Sequence, residues 1–126
     1  MFIRYFCLAL LLFGCSTASN FDSALSERLK HFDNQQKSIF NELYTYSSAA
    51  KEAQEYCNKR TSGKTEEDIA KEDVEWQINL VSEKKVTPDE SADLLAIRVA
   101  LQILALDFYC PQYKNKPLQP LKERIK

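Results

Sequence analysis

The residues with most chemistry to offer are four cysteines. Cys7 and Cys15 stand in and beside an apolar N-terminus, and Cys57 and Cys110 lie far inside the chain. A thiol can be acylated, oxidised to a disulfide, ligate a metal or act as a nucleophile. Zinc needs three or four ligands at defined spacing, and His31, the single histidine, has no partners arranged for it. Two glycines in 126 residues leave no room for a glycine-rich phosphate loop. No nucleophile–base–acid set can be assembled if Cys57 and Cys110 are joined. The carboxylates gather in first turns of predicted helices, where they complement the helix dipole and need no catalytic reading. The expectation is therefore no enzyme, no metal and no cofactor. Two covalent uses of thiols remain.

The first is an anchor. Met1 to Arg4 is a short cationic start, and Tyr5 to Phe13 is an apolar run of about 14 Å as a helix, half a bilayer core. That is the pattern of an export signal, not of a membrane span. Leu12-Phe13-Gly14-Cys15 resembles a bacterial lipobox: Leu12, Gly14 and Cys15 match, while Phe13 is bulkier than the pattern prefers. The resemblance implies a signal peptide over 1–14, lipid on Cys15 and a lipidated linker over 15–22. No Asp follows Cys15, which by the same resemblance implies the outer membrane, facing the periplasm. Ser16-Thr17-Ala18 offers a rival cut after Ala18 that would release a soluble periplasmic protein.

The second is a disulfide. Once Cys7 leaves and Cys15 is acylated, Cys57 and Cys110 remain as an even pair in an oxidising compartment. Two buried free thiols are the alternative.

These residues must be positioned by helices. Scarce glycine and proline, two and four, argue against the many turns of a small β fold. From Leu25 the apolar residues Leu29, Phe32, Ile39, Leu43, Tyr46, Ala50, Ala53 and Cys57 recur at steps of three and four, with only Gln36 out of register. Gly63 suits the stop of that helix. Thr65-Glu66-Glu67-Asp68 opens a second helix whose stripe is Ile69, Ala70, Val74, Ile78 and Val81, with Trp76 at the core or its edge. Thr87-Pro88-Asp89-Glu90 opens a third, apolar nearly all round to Phe108 and interrupted by Arg98, Gln102 and Asp107.

The expected fold is all-α: an up-down-up three-helix bundle over 23–113 with a long first helix and one disulfide, Cys57 to Cys110, at one end. An unbroken first helix would reach about 55 Å against about 27 and 32 Å for the others. Either it breaks near Asp33-Asn34-Gln35 or its first half overhangs. The overhang would expose Leu25, Leu29 and Phe32, the expected partner-binding residues. The third helix, too apolar for its neighbours to cover, would leave apolar surface along one side. Either surface would take a partner helix or a second copy of the chain in a homodimer.

Charge excludes one class of partner. The formal net charge is −1, and loss of the leader removes Arg4 to leave −2, so no nucleic acid is expected. The basic, proline-containing tail over 114–126 reads as a solvated end, or as a contact for anionic lipid.

Two resemblances bear on function. Cys57, Gly63, Thr65, Asp68-Ile69 and Tyr109-Cys110-Pro111 resemble the pattern of a family of small exported helical proteins of unknown function. That likeness, over Cys57 to Tyr113, implies a helical fold with a disulfide and no activity. The size, the lipobox and the cysteine placement are similar to type II secretion pilotins, lipoproteins that carry a secretin to the outer membrane. The expected function is thus a non-catalytic envelope lipoprotein that binds a protein partner, besides the bilayer that Cys15 enters. An immunity or exclusion protein, and a structural envelope lipoprotein, are the rival readings.

Overall fold

The computed structural model describes residues 20–114. The described residues are all helical, without a strand: α1 over 20–29, α2 Asn34–Leu43, α3 Tyr46–Thr61, α4 Glu66–Ser82, α5 Pro88–Phe108 and a 3-10 turn Pro111–Tyr113. The three-helix count is therefore corrected to five, because the expected long first helix is cut twice. At the first cut Asp33 accepts from the Gln36 amide (2.8 Å), and the Gln36 side chain accepts from the Asp33 amide (3.1 Å). The residue that broke the apolar register is thus half of a capping box that restarts the helix. The second cut, at Tyr44-Thr45, was not expected. There Thr45 and Ser48 cap each other at 3.0 and 2.9 Å, satisfying amides that a continuous helix would have satisfied itself. The phase resets across this cut, so Leu43 and Tyr46, expected inside, are exposed.

The last three helices keep the expected order. α3 ends at Gly63 with φ 106°, where the amides of Gly63 and Lys64 donate to the carbonyls of Arg60 and Lys59. This left-handed stop favours glycine, and the chain turns back into α4. Reciprocal Thr65–Asp68 and Thr87–Glu90 bonds start α4 and α5 where the sequence placed them, with Pro88 in the first turn. α5 is the hub, packed by α2, α3, α4 and the 3-10 turn. Its buried face carries Leu94, Ile97, Ala100, Leu101, Leu104 and Ala105.

Cys57, in the last turns of α3, and Cys110, just past α5, are bonded, with Cα atoms 5.8 Å apart. α1 runs back along α5 from this same end. Phe21 is fully buried, with ring centroids 6.2 Å from Phe108 and 5.3 Å from Tyr109. The folded domain accordingly begins by 20 or 21, earlier than the boundary at 23 expected from the pattern.

Candidate functional site

Two features stand out from the packed core: a polar cluster between α3, α4 and α5, and an apolar outer face on α4 and α5.

The cluster is built on α5. Arg98 and Gln102, one turn apart, interrupt the apolar run on the side that meets α4. Gln102 Nε2 donates to Asp73 Oδ2 (2.7 Å), and Arg98 Nε lies 3.3 Å from Asp73 Oδ1 and 3.7 Å from Glu52 Oε1. The Arg98 guanidinium also lies over the Trp76 ring, 4.2 Å from its centroid. Tyr44, in the α2–α3 break, donates its hydroxyl to Glu52 Oε2 (2.9 Å). Asp73 is 4% exposed, and a carboxylate so deep persists only with partners, which it has. Burial raises the Glu52 carboxyl above its ordinary range, against the opposing pull of the Tyr44 hydrogen bond and the Arg98 charge. Burial, with the Glu52 charge beside it, likewise raises Tyr44. One guanidinium thus serves two carboxylates, and it ties the α2–α3 break, α3 and α4 to the hub helix.

Chemically the cluster is closed. The space beside it is about 20 Å³, which holds roughly one water and no organic substrate. None of its members was picked from the sequence as a site residue. The signal was available in Arg98 and Gln102, four apart on a helix otherwise apolar.

The same cluster explains a correction in α4. Val74 and Ile78 were expected inside, yet they are 47% and 58% exposed. The buried face instead runs through Ile69 and Asp73 to the half-buried Trp76 and Leu80. A paired aspartate occupies the interior, and apolar residues are left outside. Glu72 of α4 pairs with Lys59 of α3 (3.3 Å) and with Lys64. Val74 and Ile78 stand roughly 200° and 240° round the helix from Glu72, so they face away from α3. The solvent side of α5 carries Val99 and Ile103, 42% and 40% exposed, with Ala92 and Ala96. The four larger side chains are most of the exposed large hydrophobics among the described residues.

The expected partner-binding residues fare differently. Leu25 is 1% exposed and belongs to the core, and Leu29 and Phe32 pack against it half-buried. There is no overhang, because the turn at Lys30 to Asp33 ends α1, which lies back along α5. Phe32 and Arg28 instead form one wall of an open groove of about 410 Å³ whose other wall is Leu95, Ala96, Val99 and Ile103. Exposed apolar surface therefore lies on α5 and α4 and in the groove beside Phe32 rather than on an overhang of the first helix.

Cys57 and Cys110 are brought together as a disulfide. Cys15, the leader, and the tail beyond Lys114 lie outside the described residues. His31 is exposed in the turn after α1, and no group of metal-ligating side chains occurs among the described residues. No described helix is long and apolar enough to cross a membrane. No protein-family model, curated protein or solved structure matches this chain.

Proposed function

We propose that this chain is a non-catalytic lipoprotein of the cell envelope, anchored in the outer membrane through acylated Cys15, that holds a protein partner on its α4–α5 face. The observation that supports partner binding most is the exposure of Val74, Ile78, Val99 and Ile103 on adjoining helices, four of the six exposed large hydrophobics among the described residues, the others being Leu43 and Tyr46 at the α2–α3 break. The Cys57–Cys110 bond agrees with an exported chain, since such bonds persist in oxidising compartments. A pilotin-like factor that receives a helix of a secretin is the most concrete form of this reading. A partner helix laid along two neighbouring helices is a common way of covering such a face.

The anchor is tested by metabolic labelling with an acyl analogue. Wild type takes up label in the outer-membrane fraction and Cys15→Ser does not. Label that survives the substitution contradicts the anchor.

A further inference from the structure

The groove between α1 and α5 is apolar but for one guanidinium, and we propose that it holds a single long-chain fatty acid, its carboxylate on Arg28. The proposal goes beyond the partner-binding reading and does not depend on it.

Width decides against a helix as the occupant. The groove holds about 410 Å³, and its wall on α5 runs from Ala92 to Ile103, about 16 Å of helix axis. The mean cross-section is then about 25 Å², whereas a helix with its side chains, 10–12 Å across, needs roughly 80 Å² or more. One hydrocarbon chain fits that width. Ala92, Ala96 and Ala100 supply the hollow, and larger apolar side chains, Phe32 and Val99 among them, border it. An extended peptide would find no partners there for its amides and carbonyls, while methylenes need none.

Charge gives the chain its head and its direction. Arg28 is half-buried, and it makes no hydrogen bond or ion pair among the described residues. Its neighbour Lys30 is taken up by Glu27 (2.8 Å). A guanidinium partly withdrawn from water, its fork of N–H donors unmet by the protein, is a ready receiver for a carboxylate. Arg28 also bounds the next hollow, with His31 and Leu104, which places it toward the C-terminal end of α5. Asp89 and Asp93 stand at the other end, around Ala92. A carboxylate is drawn to the first end and repelled from the second, so the head lies at Arg28 and the methyl end points to Ala92.

Washed envelopes from cells expressing the full-length chain are incubated with a photoreactive palmitate analogue, which without ATP is not built into other lipids, and irradiated. Mass spectrometry maps the adduct to 92–103 of α5 and to Phe32, and excess palmitate removes it. Arg28→Met lowers the adduct roughly tenfold, the loss of one charge-assisted bond. The corresponding alcohol labels weakly, and equally in wild type and Arg28→Met. Ala96→Phe fills the hollow and abolishes labelling by both probes. Intact native disulfide and unchanged helicity show that each variant is folded. Labelling indifferent to Arg28→Met and Ala96→Phe, or spread evenly over the surface, is unspecific partitioning and overturns the proposal. Absence of any adduct on folded protein overturns it as well and leaves the partner-binding reading standing.

Discussion

Replacing Arg98 with methionine removes the one cation from the α3–α4–α5 cluster while keeping an apolar stem against Trp76. Asp73, 4% exposed, then keeps only the Gln102 amide at 2.7 Å, and Glu52 keeps the Tyr44 hydroxyl at 2.9 Å. Breaking a fully buried ion pair from one side costs about 3–5 kcal/mol. The Arg98 side chain is a fifth exposed, and the adjoining space holds about one water, so the low end applies. The expected loss is about 2–3 kcal/mol at neutral pH, which for a domain of this size lowers Tm by roughly 10–20 °C. The loss shrinks as pH falls, because Glu52, whose carboxyl burial raises, no longer needs the cation once protonated. Thermal unfolding followed by circular dichroism at pH 7 and pH 5 measures it. A double-mutant cycle with Asp73→Asn isolates the pair, and the double variant is expected to lose much less than the two single losses together. A Tm within 2 °C or so of wild type, or strict additivity in the cycle, would refute the reasoning.

Glu52→Gln gives the opposite sign. The folded state holds the Glu52 proton more tightly than the unfolded chain does, so native stability falls as pH rises from the ordinary value of 4.5 through the raised one. The amide still accepts from Tyr44, so the variant is as stable as wild type or more so at neutral pH, and its pH–stability curve is flatter over that window. A steeper curve contradicts this. Cys110→Ser opens a bridge spanning 53 positions and costs about 4 kcal/mol by chain entropy, with one free thiol appearing at Cys57 on titration. Two titratable thiols in periplasmic wild type contradict the bridge. Leu25→Glu buries a charge without a partner and unfolds the domain. A folded Leu25→Glu, by circular dichroism, would place α1 off the core.

Legibility in the sequence followed how local each cause was. The starts of α4 and α5, the stop at Gly63 and the cysteine pair are written in a few adjacent residues or in simple arithmetic, and all were readable. Gln36 stood out as a fault in the stripe before its role in a capping box was visible. Thr45 and Ser48 gave no such fault, because the apolar spacing runs on through both, and the break was missed. On α4, Ile69 and Trp76 lie where they were expected, but Val74 and Ile78 were read inward and are exposed. Periodicity counts apolar residues, and Asp73 is buried because Arg98, 25 positions away, neutralises it. Leu25 was placed outside for a related reason: it is covered because the turn at Lys30 to Asp33 lets α1 lie back along α5, whereas Phe32 lines the open groove. Contacts between distant positions leave little trace in one sequence.

The central claim is that the α4–α5 face holds a protein partner in the envelope. The most direct measurement places a photo-crosslinking amino acid at Ile78, Val99 or Ile103 of the full-length chain in living cells, with Gln54 on the exposed side of α3 as control. The account predicts discrete protein adducts from the three face positions, the same from cell to cell, and none from Gln54. Absence of adducts from all three, in folded and disulfide-bonded protein, would contradict it.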